Sequence, residues 1–236
     1  MKHAKWLAAT AALAAAGTAN AGEFSSTITA ASEYDFRGFS QSAKDPALQA
    51  SLDYGFDNGF AIGAWASNVD FEPADGDIEL DLYAGYSASI SDTLGWNVGA
   101  VYYMYPGSDD IGEYWEAYAG LDVGPVSLKQ WYADDLYEIG ESGLYTEANA
   151  SFPIGESGFS ILAHVGYSWG DAWDEDVLGG EIFDYSVGVG YDFSNFSVAL
   201  KYTATDASGD QKITDDVGNN EGRVVFTIST TLPWGE

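Results

Sequence analysis

The feature that most constrains this chain is an alternation of apolar and polar residues with a period of two. In the segment 77–90, apolar residues such as Leu82 fall on one side and acidic residues such as Asp81 fall on the other. This is the period of a β-strand, because successive side chains of a strand point to opposite faces. The pattern predicts twelve strands, at about 24–39, 47–56, 60–69, 77–90, 95–104, 113–122, 126–137, 143–152, 158–169, 181–193, 196–206 and 221–232.

The predicted connections alternate between long and short. The even-numbered connections hold two to five residues and carry tight-turn sequences such as Asp57-Asn58-Gly59 and Ser194-Asn195. A soluble sandwich has no reason to place all its long loops at one end. An outer-membrane barrel does, since it combines an even strand number with short periplasmic turns and longer outer loops. We therefore predict an all-β, antiparallel up-and-down transmembrane β-barrel of about 12 strands with periplasmic termini, and keep a soluble secreted β-protein as the alternative.

Composition excludes several classes of function. The 236 residues include 37 acids but only 8 lysines and arginines, and the formal charge is -29. A chain this acidic is not suited to nucleic acid, whose phosphates are bound by basic residues. Cysteine is absent, which excludes disulfides, thiolate zinc sites and cysteine nucleophiles. Apolar residues make up 46%, too many for a disordered acidic tail.

The first 21 residues have the pattern of a secretory signal. Lys2 and Lys5 give a basic start, residues 6–16 are an apolar run, and Ala19-Asn20-Ala21 fits the cleavage pattern. The apolar run is shorter than the roughly 20 residues that a membrane-spanning helix needs. We therefore expect residues 22–236 to be exported and to form a barrel in the bacterial outer membrane. The expected partners are lipid and lipopolysaccharide, the barrel-assembly machinery, and small solutes or cations.

The polar strand faces predict the lining of a pore. In a membrane barrel the apolar face meets lipid and the polar face lines the interior, while aromatic residues near strand ends, such as Trp96, form girdles. Nine acids oppose four bases on the predicted interior faces, when Asp122 is included, and this predicts a preference for cations. The predicted pore-lining residues are Glu33, Asp35, Arg37, Asp53, Glu79, Asp81, Glu116, Lys129, Glu147, Asp184, Lys201 and Arg223.

Three of these residues alternate on the predicted first strand. Glu33, Asp35 and Arg37 share its interior face, and we expect Arg37 to pair with a carboxylate there or on an adjacent strand. Such a pair could brace the barrel wall or act in a filter. Twelve strands lie between filled eight-stranded barrels and the wide channels of 16–18 strands. A narrow lumen follows, with aromatic obstruction by Trp65, Tyr83 or Tyr118.

Two further groups of residues have side chains that can carry out chemistry. His164 shares a predicted strand face with Ser160 and Ser168, and a Ser–His hydrolase would need a hydroxyl and an orienting partner in hydrogen-bond reach. A solvated interior histidine is the simpler interpretation. The outer-loop acids Asp171, Asp174 and Asp176 offer oxygen ligands for calcium or magnesium, but their spacing departs from the helix–loop–helix calcium motif. Solvated loop charge and weak divalent binding that bridges to lipopolysaccharide are the two alternatives, and no cofactor is predicted.

Several longer motifs resemble a known family. They are ASEYDFRGFSQS at 31–42, YYMYPG at 102–107, EYWEAY at 113–118 and DYSVGVGY at 184–191. These stretches resemble the TorF-type porins, conserved bacterial outer-membrane proteins of poorly defined function. The resemblance covers essentially the whole exported chain and implies an outer-membrane barrel with a channel role, but no substrate. The chain departs from many such barrels at 232–236, where it does not end on an aromatic residue.

Together these features predict a passive channel for small hydrophilic solutes or ions, preferring cations, and not an enzyme. Two alternatives come from other classes of function. One is a non-conducting structural or surface-interaction barrel, and the other is an outer-membrane hydrolase centred on His164.

Overall fold

A computed structural model describes residues 22–72, 74, 76–108 and 111–234. The predicted signal segment 1–21 and the last two residues lie outside this part of the chain. Three short 3-10 turns lie among these described residues, at Leu136–Glu138, Asp171–Trp173 and Gly209–Gln211. The strands are β1 (Glu23–Ala31), β2 (Asp35–Phe36), β3 (Phe39–Ser40), β4 (Ala47–Gly55), β5 (Phe60–Asn68), β6 (Ile78–Ser91), β7 (Leu94–Met104), β8 (Tyr114–Val123), β9 (Val126–Ala133), β10 (Gly143–Pro153), β11 (Phe159–Trp169), β12 (Ile182–Phe193), β13 (Phe196–Thr205) and β14 (Arg223–Leu232).

Twelve of these strands, β1 and β4 to β14, form a closed antiparallel barrel, which confirms the predicted fold class. Each barrel strand pairs with its neighbours in the chain, and β1 closes the barrel by pairing with β14 from Ser26↔Leu232 to Ala31↔Thr227. Closure leaves no open sheet edge. The other two strands, β2 and β3, form a separate small hairpin in which Phe36 pairs with Phe39.

The connections between barrel strands divide the molecule into two ends. At the turn end, two to five residues join the strands, at 56–59, 92–93, 124–125, 154–158 and 194–195. At the loop end, the connections are nine residues or longer, at 32–46, 69–77, 105–113, 134–142, 170–181 and 206–222. Both described chain ends lie at the turn end, since the Gly22 N–H donates to the Gly55 carbonyl and Trp234 contacts Phe196.

The barrel has the reverse polarity of a soluble one. Apolar side chains point outward, and Leu52 and Val187 are 65% and 55% exposed. Charged side chains point inward and are buried, as at Glu116 and Asp184. An apolar exterior and a polar interior are the arrangement that a hydrocarbon solvent requires of a spanning barrel. Within the described part of the chain, no helix is long and apolar enough to cross a membrane.

Two predicted strands end earlier than the alternation indicated. The first ends at Ala31 instead of residue 39, so Glu33, Asp35 and Arg37 are not part of it. The seventh predicted strand, which corresponds to β9, ends at Ala133 instead of residue 137. In both places the backbone takes positive φ angles, +50° at Arg37 and +56° at Tyr137, which no strand residue can adopt.

Candidate functional site

The candidate site is the barrel lumen, into which the first long loop folds. We call residues 33–40 the lumen hairpin. Arg37 and Gly38 at its tip both have positive φ angles, +50° and +85°, as in the two-residue turns that suit a β-hairpin. Gly38 is required by space as well, because a Cβ there would lie 2.4 Å from the Cγ2 atom of Thr205 on the barrel wall. The tip of the hairpin is therefore packed against the wall.

Arg37 attaches the hairpin to β8. Its Nη1 and Nη2 atoms donate to the two oxygens of Glu116, at 3.0 and 2.7 Å. The Tyr103 hydroxyl on β7 also donates to Glu116, at 3.0 Å. The Arg37 side chain is 9% exposed and that of Glu116 is 2% exposed. A bidentate pair buried in this way fixes both the position and the orientation of the guanidinium.

Aromatic rings surround the same guanidinium. Its carbon lies 4.1 Å from the ring centre of Tyr145, 5.7 Å from that of Trp131 and 4.7 Å from that of Phe36 in the hairpin itself. These distances are within the range of cation–π attraction. Arg37 is thus held by a carboxylate and by aromatic faces together.

Arg223 attaches the hairpin to β14. Its Nε donates to Glu33 at 2.7 Å, its Nη1 donates to the Gly38 carbonyl at 3.0 Å, and its Nη2 donates to Asp35. Asp35 also accepts from the Thr203 hydroxyl on β13, at 3.1 Å. In the circular order of twelve strands, β8 and β14 are six positions apart in either direction. The hairpin therefore crosses the full width of the lumen, with an arginine–carboxylate attachment on each of two opposite walls.

The base of this loop is also fixed at the loop end. The Ser40 N–H donates to the Asn219 carbonyl at 2.8 Å, and the Tyr34 N–H donates to the Ser42 hydroxyl at 2.9 Å. Lys44 contacts Asp216 of the last loop at 2.6 Å, and this hydrogen bond raises the pKa of Lys44. These contacts join the first and last loops above the lumen.

A further group of acids lines the lumen wall on β4 and β6. They are Asp53, Glu79 and Asp81. Glu79 accepts from the Tyr34 hydroxyl at 3.3 Å, and Asp53 accepts from the hydroxyls of Tyr83 and Ser51. The Oδ1 atom of Asp81 is buried without a hydrogen-bond partner among the described residues. These acids face inward as predicted, but Tyr34 of the folded loop covers Glu79.

His164 joins a polar network in the middle of the wall. Its Nε2 lies 2.8 Å from Asp184 Oδ1, and its Nδ1 lies 2.7 Å from Asn149 Oδ1. The Tyr145 hydroxyl also contacts both His164, at 3.1 Å, and Asp184. Each ring nitrogen thus has a carboxylate, amide or phenol partner. This arrangement gives no support to a serine hydrolase, because neither nitrogen is directed at a serine hydroxyl.

Two bases and one further acid complete the lining. The Lys129 ammonium lies 4.6 Å from the ring centre of Tyr118 and 5.3 Å from that of Trp131. Glu147 accepts from the indole N–H of Trp131 at 2.8 Å. Lys201 lies on the wall of a cavity of about 120 Å³ that also touches Glu147, His164 and Asp184 and is bounded by the hairpin.

The side chains of all twelve predicted residues thus point into the lumen, and their role in lining a conducting pore stays a prediction. Nine point inward from the strands, and Glu33, Asp35 and Arg37 do so from the hairpin. Asp192 shares the inward face of β12 with Asp184 and was not among the predicted residues. Trp65, Tyr83 and Tyr118, the predicted obstructions, are buried in the lumen at 8%, 8% and 5% exposure.

The alternation of the sequence does not predict that the first loop folds into the lumen. One local signal was present. In the run Phe36-Arg37-Gly38-Phe39, an Arg-Gly pair lies between two aromatic residues, a pattern typical of a tight hairpin. Alternation alone cannot separate such a hairpin from a longer strand.

Among the residues that the structure describes, no group of three or more His, Asp or Glu side chains is arranged to hold a metal ion. Asp171 instead accepts a hydrogen bond from the Ser142 hydroxyl at 3.0 Å. The geometry therefore gives no support to the alternative that Asp171, Asp174 and Asp176 bind a divalent cation.

The closed twelve-stranded antiparallel barrel with a polar lumen is a fold that other solved proteins share. Three solved structures are similar to it. One is of the KdgM porin, with a TM-score of 0.56, and another is of the KdgM porin in complex with disordered oligogalacturonate, with a TM-score of 0.55. Each of these two matches has 9% identity and covers 88% of this chain and 97% of that chain. The third, the NanC porin, has a TM-score of 0.54 and 10% identity over 87% of this chain and 98% of that chain. At these identities the likeness shows the fold alone.

The chain belongs to the family described as "Bacterial protein of unknown function (Gcw_chp)", whose model matches residues 15–232. No curated protein matches the chain.

Proposed function

We propose that this protein is an outer-membrane channel for the passive passage of small hydrophilic solutes or ions, preferring cations, and that the lumen hairpin holds it closed in the described conformation. The observation that carries the proposal is the reversed polarity of a closed barrel. Its outer surface is apolar, and its charged side chains surround a lumen that contains a cavity. Such charges would be costly to bury in a solid core. The porin-like fold supports the same function.

The charge of the lumen supports the preference for cations. With Asp192 added, ten carboxylates face inward against four bases, or six net negative charges when His164 is neutral. Rings of acidic side chains attract cations and exclude anions, most strongly in a narrow pore. Oligogalacturonate is a polyanion, so an acidic lumen is not suited to the ligand seen in the KdgM complex.

Several finer assignments are parts of the same proposal. The signal at 1–21 would export the chain, and the turn end with both described termini would face the periplasm. The motif at 31–42 that resembles the TorF-type porins contains the whole lumen hairpin, so the resemblance and the hairpin concern the same residues. Lipid, lipopolysaccharide and the barrel-assembly machinery are its proposed partners, and passive transport requires no enzymatic chemistry.

The test is the reversal potential across a planar lipid bilayer under a potassium chloride gradient. We expect cation-selective current during openings in which the hairpin leaves the lumen. We expect the double variant Glu147→Gln and Asp184→Asn to weaken the selectivity, because both acids line the mid-barrel cavity. The matched loop variant Asp215→Asn and Asp216→Asn should change it less, since exposed charges are screened within about 8 Å at physiological salt.

Two results would contradict the proposal. Anion selectivity in the unmutated protein would show that the lumen charges do not control permeation. Absence of current even after the hairpin 33–40 is replaced by a short Gly-Ser link would instead favour the non-conducting structural barrel.

A further inference from the structure

We infer that the lumen wall carries a recognition site for guanidinium and ammonium cations, and that Arg37 of the lumen hairpin occupies this site as a tethered ligand. The inference rests on the proposed function and names the class of solute that would displace the hairpin. The wall components of the site are the Glu116 carboxylate, the Tyr103 hydroxyl and the rings of Trp131 and Tyr145.

The first observation is the composition of the site. Glu116 binds the guanidinium through two parallel hydrogen bonds, at 2.7 and 3.0 Å, and Tyr103 fixes the same carboxylate from the side. Tyr145 and Trp131 present rings at 4.1 and 5.7 Å from the guanidinium carbon. A carboxylate combined with aromatic faces is the arrangement by which proteins recognise organic cations.

The second observation is that the backbone of every wall group belongs to the barrel and not to the hairpin. Glu116, Tyr103, Trp131 and Tyr145 lie on four consecutive barrel strands, β7 to β10, which are held in register by complete ladders. Arg37, in contrast, lies at the tip of a two-residue turn in a loop. The wall is therefore the preformed half of the site, and the arginine is the half that can leave.

The third observation is what surrounds the occupied site. The cavity of about 120 Å³ is lined by Arg37, Trp131 and Tyr145 as well as by Glu147 and Asp184. An incoming cation in this cavity would meet acidic side chains beside the guanidinium that it must replace. A free cation and Arg37 would then compete for Glu116, and each would exclude the other.

The test uses ethylguanidinium, which contains the same atoms that the change Arg37→Ala removes. Isothermal titration calorimetry of folded Arg37→Ala protein in detergent should show saturable binding of ethylguanidinium chloride. Ethylurea, which has the same shape without the charge, should bind at least 10-fold more weakly. The double variant Arg37→Ala and Glu116→Gln should lose this binding. The control variant Lys212→Ala removes a base at the loop end but keeps Arg37, and it should gain no binding of ethylguanidinium.

A second measurement on the unmutated protein guards against a variant that does not fold. If ethylguanidinium competes with Arg37, it should release the hairpin and expose it to chymotrypsin. We expect cleavage after Phe36 or Phe39 to increase several-fold with ethylguanidinium and to stay unchanged with ethylurea at the same concentration.

Two results would overturn the inference. One is equal binding of ethylguanidinium by Arg37→Ala and by the double variant, which would show general attraction to an acidic lumen. The other is absence of saturable binding to folded Arg37→Ala together with unchanged cleavage of the unmutated protein. Neither measurement depends on ion conduction, so a protein that binds the cation but passes no current would contradict the proposed channel function alone.

Discussion

A single strand offers a sensitive test of whether the outer surface faces lipid. Leu48 and Leu52 both point outward from β4 and are 64% and 65% exposed. They are four residues apart, which is about 14 Å along a strand and about 10 Å in depth when the strand is tilted by about 40°. Leu52 lies near the middle of Ala47–Gly55, and Leu48 is its second residue at the loop end.

The change to arginine should therefore cost different amounts at the two positions. An arginine on the lipid face destabilises a barrel by roughly 2–4 kcal/mol at the midplane and by about 0–1 kcal/mol near the interface. The apolar band is about 25 Å tall, so a depth difference of about 10 Å moves the charge most of the way to its edge. We expect Leu52→Arg to cost about 2–3 kcal/mol more than Leu48→Arg.

The assay is equilibrium unfolding in urea of the protein refolded into phosphatidylcholine vesicles, followed by tryptophan fluorescence. Leu48→Ala and Leu52→Ala serve as controls, because they remove the apolar side chain without adding charge. In a soluble barrel both leucines would already face water, and both arginine variants would stay within about 0.5 kcal/mol of the parent. Equal costs at the two positions would thus refute the lipid-facing assignment.

Three further predictions concern the hairpin and the loops. Glu116→Gln leaves Arg37 buried without its counter-charge. Because breaking a buried pair costs about 3–5 kcal/mol, the open probability in bilayers should rise by about 100-fold or more. The control variant Glu221→Gln, at an exposed position, should leave the open probability unchanged. Arg223→Gln removes the partner of Glu33 and Asp35. Hydrogen exchange of the backbone amides at 33–40 should therefore accelerate, while the amides of β14 stay protected. Unchanged exchange at 33–40 would mean that Arg37 alone holds the hairpin. Added protease should cut within 170–181 or 206–222 and spare the turns at 92–93 and 194–195, and early cleavage at those turns would place the flexible connections at the wrong end.

The barrel could be predicted from the sequence because its wall obeys one local rule. Every strand has one face toward the lumen and one toward the outside, so polarity alternates along it and the phase is visible in single segments. The alternation alone places Leu82 and Asp81, for example, on opposite faces, and they are 49% and 6% exposed. Turn residues such as Asn195 mark where each short connection falls.

The contents of the lumen could not be predicted in the same way. Glu33, Asp35 and Arg37 alternate with apolar residues in the hairpin as they would in a longer first strand, and both arrangements direct them inward. The difference is decided by Arg223 and Glu116, which lie 190 residues from Glu33 and 79 residues from Arg37 in the chain. No local pattern contains information about partners so distant in sequence.

The attachment of the hairpin to two opposite walls also sets when it can form. Glu33 and Asp35 belong to the first loop, whereas Arg223 lies on the final strand, which is also the strand that seals the barrel against β1. Contacts between such distant parts of a chain form late, because the intervening loop must first be closed. We therefore expect folding to pass through a stage in which the wall is nearly complete and the lumen is still empty, with docking of the hairpin as a late step.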